Sequence, residues 1–184
     1  MMNETHDFRL YLENLFLVIP SEMLVGGAII LSLGFYFLIK WRGLLNGLRF
    51  TALLAFVEYV TLIYCSTVLF RTTRDIQKYD FHPFWSYNDP GLFIENVMNV
   101  VAFVPIGLLL GAGIKRLKWW HALLVGAYLS VSIEFLQFVF KKGFSELDDV
   151  MHNILGCMMG YGIYKSARLL FDYCYKRTKQ KVYI

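Results

Sequence analysis

Five apolar stretches, each long enough to cross a bilayer, carry polar residues that a lipid-facing helix excludes. They run over about 21–40, 50–70, 95–114, 119–140 and 149–170, each near the roughly 20 residues that a hydrocarbon core of about 30 Å requires. Asn99 precedes the run from Val100 to Gly107; Glu134 and Gln137 fall inside the fourth stretch; Asp149 and Asn153 open the fifth. A carboxylate or carboxamide in hydrocarbon costs a few kcal/mol, so such groups face a bundle interior or a water-filled site. The pattern predicts an all-α integral membrane protein, a five-helix bundle with buried polar chemistry.

Composition agrees. The chain is 57% hydrophobic and 17% charged, with a mean hydropathy of +0.49 over 184 residues, too apolar for an ordinary soluble domain. Only four prolines and no short-range alternation favour helices over a barrel. The net charge of +4 would hint at nucleic acid in a soluble protein; no nucleic-acid partner is expected here. The acidic N-terminus, with Glu4, Asp7 and Glu13 against Arg9, is the reverse of a cleaved signal peptide. Cys65, Cys157 and Cys174 lack CxxC spacing and read as small buried hydrophobes.

Residues 1–20 read as an interfacial amphipathic segment ending at Pro20, 21–170 as the transmembrane domain and 171–184 as a basic tail. Alternate connections hold twelve of the 18 basic residues, while the other side holds six basic residues and eleven of the 14 acids. The positive-inside rule then puts the N-terminus outside and the tail in the cytoplasm, across a bacterial inner membrane. With that orientation Asn99, Glu134, Asp149 and Asn153 all fall in the outer leaflet.

Faces agree with depth. Ser130, Glu134 and Gln137 follow i, i+4, i+7 spacing, and Asp149, Asn153, Gly156 and Gly160 form a second stripe. Gly156 and Gly160 also make a GxxxG, which permits close helix approach and a possible oligomer contact. Pro105 removes one helical hydrogen bond and predicts a kink in the third span.

Linked together, these motifs resemble the VanZ-like family, named for a teicoplanin-resistance protein. The residues are Asn99 with Phe103, Pro105 and Gly107; Ile133, Glu134 and Gln137; Asp148, Asp149, Asn153 and Gly156; and Pro83-Phe84 before them. The resemblance covers about 50–165. One departure stands out: where the family has a Gly-Arg pair, Gly143 holds the Arg position, preceded by Lys141 and Lys142, and Glu146 follows as the acidic residue. What the resemblance implies is a link to tolerance of lipophilic glycopeptides at the cell surface; it implies no reaction.

Two readings of the polar residues stay open. As architecture they are interhelical hydrogen bonds, which average only about 0.6 kcal/mol in membranes. As a site, Glu134 and Asp149 would share a proton as an acid/base pair or hold a cation, with Asn99, Gln137 and Asn153 orienting a ligand. Arg71 and Arg74 are either interfacial anchors or, with Lys142, a clamp for an anionic headgroup. Asp148 is expected exposed at a helix start, Glu58 paired or protonated within its span, and Trp41, Trp85, Trp119 and Trp120 in aromatic belts. No metal pattern, nucleotide loop or catalytic triad is present, and no cofactor is expected. The partner expected is a membrane lipid or lipid-linked envelope precursor, bound in an outer-leaflet cavity. The rivals are a membrane enzyme acting on a lipid-linked substrate and a non-catalytic scaffold.

Overall fold

The computed structural model describes residues 44–73 and 78–182 continuously, with Gly27, Leu31, Ser32, Gly34, Phe37, Lys40 and Trp41 before them. The 1–20 segment, most of the first expected span and Arg74 lie outside the described residues. Helix α1 (Leu44–Tyr64) runs into a π-helical turn at Cys65–Leu69, closed by the Phe70 amide on Cys65 O at 2.8 Å. Helix α2 is Phe93–Gly113, α3 is Trp119–Phe140 and α4 is Leu147–Val182.

Among the described residues, three segments are long and apolar enough to cross a membrane: Asn46–Leu69, Pro90–Gly113 and Trp119–Phe140. Their cores match three of the five expected spans. The fifth expected span lies within α4 but falls short on apolarity, with Asp149, His152 and Asn153 in its first turns and Lys165 and Arg168 in its last. Nor does α4 stop where the tail was expected to begin; it continues unbroken through 36 residues.

Local chemistry sets the ends. A turn at Pro90–Leu92 leads into α2, with Pro90 at its first position and Asp89 accepting from the Gly91 amide at 2.8 Å. Helix α3 closes in a Schellman motif: the Lys142 amide reaches Gln137 O at 2.9 Å and the Lys141 amide reaches Phe138 O at 3.4 Å. Lys141 takes the left-handed position at φ 54° that glycine more often fills. Pro105 does not break α2, which remains α-helical to Gly113.

The chain is not wholly helical. Strands β1 (Lys78–Asp80) and β2 (Phe144–Glu146) pair in parallel, with Tyr79 opposite Ser145. Three-residue strands carry too little alternation to be read from sequence.

Glycines bring α2 and α4 into backbone contact. A Cβ at Gly156 would stand 2.1 Å from Val100 O, one at Gly160 1.9 Å from Val104 O, and one at Gly107 1.8 Å from Cys157 O. The Gly156/Gly160 face, read from sequence as a possible oligomer contact, is thus filled by the chain's own α2. Around this seam Phe103, Ile106, Leu110, Ala122, Leu129 and Ile133 form the core. Helix α1 joins through the Tyr59 hydroxyl, which donates to Ala102 O at 2.9 Å, and a Tyr64–Ser132 hydroxyl pair. Cys65 and Cys157 are buried as expected, but Cys174 is exposed on α4.

Candidate functional site

The polar stripes meet at the end of the bundle that carries β1 and β2. On α3, Ser130, Glu134 and Gln137 are all buried. From α4, Asn153 Nδ2 donates to Ser130 Oγ at 2.8 Å, and one turn away Asp149 Oδ1 accepts from Asn99 Nδ2 of α2 at 2.6 Å. Glu134 Oε2 accepts the Glu146 amide at 3.0 Å, and Ser145 Oγ donates to the Glu134 carbonyl at 3.1 Å. Strand β2 therefore docks on α3 through the glutamate itself. Gln137 Nε2 reaches Thr67 O at 3.2 Å in the π-helical turn, where a helix end leaves carbonyls without partners. Asn99, Glu134, Gln137, Asp149 and Asn153, singled out from sequence, are brought to one end of the bundle, each in a hydrogen bond to another segment of the chain.

Arg71 joins them from beyond the π turn. Its charge acts on both Glu134 and Asp149, and its guanidinium lies over Gly143, where a Cβ would be 2.9 Å from Cζ. Lys142 sits differently. Its Nζ donates to the Arg71 carbonyl at 2.8 Å, so it holds the backbone of Arg71 rather than facing the carboxyls. The position that the family resemblance gives to an arginine side chain is covered here by Arg71 from another segment.

Two acids completing the cluster were not among the expected site residues. Glu146 is buried, and its carboxyl is pushed up to about 8, first by burial and then by the charges of Asp149, Glu95, Glu134 and Asp148. Glu95 acts on Asp149 as well. A signal for Glu95 existed, since it stands four residues before Asn99 and so on the same face of α2. Glu146 had none beyond its place in the motif, because it lies on a strand.

Asp148 is a correction. Instead of being exposed it is 1% accessible, drawn inward by the loop before α2. It accepts from the Phe84 amide at 2.6 Å, the Ser86 amide at 3.0 Å and Ser86 Oγ at 2.6 Å. Asn96 Nδ2 adds a bond to Ser86 Oγ at 3.0 Å. Phe84, of the Pro83-Phe84 pair, adopts φ 65°, and its amide is the one that Asp148 holds. His152 turns away from the carboxyls: Nδ1 meets Asp148 O at 2.7 Å and Nε2 meets the Tyr87 hydroxyl at 2.8 Å. Trp85 packs edge-on against Phe144 with centroids 5.5 Å apart. Elsewhere, Glu58 lies against Gly27, where a Cβ would come within 1.2 Å of Oε1.

Among the described residues, the arrangement joins several carboxyls, the Arg71 guanidinium and amide side chains in a largely buried setting. Among the described residues no group of three or more His, Cys, Asp or Glu is placed to hold a metal ion. A family model described as VanZ/LLP1 matches residues 50–171, the segment that supplies every member of this arrangement. The chain belongs to the VanZ/LLP1 family.

Protein VanZ of Enterococcus faecium is similar over 110 residues at 31% identity, which covers 57% of this chain and 67% of that protein. No solved structure matches the chain. Family membership and the three long apolar helices together make this VanZ-family chain a membrane protein. The matched region begins within α1 and ends in the middle of α4, so it spans the cluster, the loop held by Asp148 and the glycine seam.

Proposed function

We propose that this protein binds the headgroup of an envelope amphiphile at its acidic, amide-lined end, facing the outer leaflet of the bacterial inner membrane, and that this binding underlies tolerance of lipophilic glycopeptides of the teicoplanin type. The observation that carries the reading is the convergence of α2, α3 and α4 on one point: Asn99 bonds Asp149 at 2.6 Å while Glu134 receives the Glu146 amide at 3.0 Å. Architecture alone gives little reason to bury several mutually repelling carboxyls, since buried charges cost more than they return unless well paired. The family membership and the similarity to Protein VanZ support the resistance role.

The test is Glu134→Gln, which keeps shape and removes the charge, at matched membrane abundance and thermal stability. Tolerance of a lipophilic glycopeptide should fall to the level of cells lacking the protein, and lipids co-purifying with wild type should be lost. Unchanged tolerance and an unchanged lipid profile would sink the reading.

One observation favours an enzymatic version. Glu134 and Asp149 act on each other electrostatically, as a general acid and base pair does. In that version the co-purified lipid is altered on incubation with wild type and not with Glu134→Gln.

A further inference from the structure

Helix α4 leaves the bundle before it ends. Near the bundle's edge the Tyr161 hydroxyl donates to Leu117 O at 2.8 Å, and the Tyr164 ring fills the space that a Cβ at Gly111 would need. The segments Pro90–Gly113 and Trp119–Phe140 each have an end at this level, so one face of the membrane lies there. Residues 165–179 continue the helix, and all of them are exposed. At 1.5 Å per residue they project about 22 Å.

This projecting stretch has two unlike faces. Lys165, Arg168, Asp172, Lys176 and Lys179 follow i, i+3, i+7, i+11, i+14 spacing and share one stripe. On the opposite side Ile163, Ala167, Leu170 and Cys174 are spaced four, three and four residues apart, the seven-residue repeat of a helix that packs along another helix. Leu170 is 65% exposed, Phe171 beside it 70%, and Cys174 is exposed. The same side continues back into the membrane through Met159 and Leu155, which are also exposed. Arg177 falls beside this seam and ends it.

Lipid covers Leu155 and Met159 but not Leu170, Phe171 and Cys174. Helix α4 has no break before Val182, so the stretch stands away from the bundle instead of lying along a membrane surface. Apolar side chains grouped in water mark a contact surface. A second copy of the chain meets its requirements. All copies cross the membrane in one orientation, so neighbouring α4 helices run parallel and each seam residue meets its own counterpart. The charged stripes then point outward, about 20 Å apart across two helices, where a screening length of about 8 Å leaves little repulsion. Contact through the charged face would instead press like charges together.

We infer that this protein pairs with a second copy through α4, with Ile163, Ala167, Leu170 and Cys174 of each chain packed against the same residues of the other. The pairing is independent of what the carboxyl cluster binds.

Cys174 gives a direct test. In a parallel pair the two Cys174 Cα atoms come within about 7 Å, the reach of a disulfide. Copper-phenanthroline oxidation of membranes holding the full chain should give a reducible dimer that is absent in Cys174→Ser. Moving the thiol to the charged stripe, with Cys174→Ser and Asp172→Cys together, should not restore it. Leu170→Glu, at a position exposed in the single chain, should leave the fold intact and weaken pairing at least about tenfold, read by subunit counting in liposomes at a series of protein densities. Equal crosslinking from both thiol positions, or pairing unaffected by Leu170→Glu, would overturn the inference. So would a wild-type chain that counts as single at every density, which would leave lipid or a different protein to cover this face.

Discussion

Arg71 lays its guanidinium across Gly143, close enough that a Cβ at that glycine would lie 2.9 Å from both Cζ and a terminal nitrogen. The glycine also holds φ 157°, a conformation that side chains rarely adopt. Gly143→Ala should therefore destabilise the protein by about 1–3 kcal/mol through backbone strain and crowding. Combining it with Arg71→Ala should recover part of that loss, because the crowding partner is gone. Thermal melts of the four proteins in one detergent give the coupling; strict additivity would mean that the guanidinium does not occupy this place.

Asp148 fixes the loop before α2 to the start of α4. Asp148→Ala leaves the Phe84 and Ser86 amides without their acceptor, and bonds to a charged group are worth about 1.5–3 kcal/mol each. Hydrogen exchange at those two amides should accelerate far more than at amides in the α2 core. Equal protection in wild type and variant would show that the loop is held by something else.

The glycine seam makes a sharp contrast. Gly156→Ala and Gly160→Ala put a methyl about 2 Å from carbonyl oxygens of α2, so the helices must separate and at least about 1–3 kcal/mol is lost. Gly162→Ala meets nothing within 4 Å and should be neutral or slightly stabilising by helix propensity. Folded yield on size-exclusion chromatography distinguishes them.

Glu146 gives a pH dependence. Its folded value of about 8 stands above the 4.5 of an unperturbed carboxyl, so the folded protein holds a proton that the unfolded chain has released. The associated stability is complete below about 4.5 and is lost as pH rises through 8. Melting temperature should fall across that window. Glu146→Gln should flatten the slope, although Asp149, Glu95, Glu134 and Asp148, whose charges act on Glu146, remain in place. A variant with the wild-type slope would contradict the assignment.

Helical periodicity made much of this legible in advance. The stripes Ser130–Glu134–Gln137 and Asp149–Asn153 follow from 3.6 residues per turn, and burial of such residues in an apolar chain follows from their desolvation cost. Partners did not follow. That Asn99 would bond Asp149, or that Arg71 would cover Gly143, depends on how helices far apart in sequence rotate against one another. Asp148 was misread because a first-turn aspartate usually faces water, whereas its donors come from a left-handed turn at Phe84, remote in the chain. The β1–β2 pair was invisible for want of length, and it is this pair that delivers Glu146.

Helix α4 has one more consequence. At 1.5 Å per residue its 36 residues make a rod about 54 Å long, far beyond the thickness of a hydrocarbon core. Asp149 and Asn153 are near one end of that rod, and Lys176, Arg177 and Lys179 near the other. No break in the helix separates them. A single unbroken helix thus ties the carboxyl cluster to a basic surface that the cluster never touches.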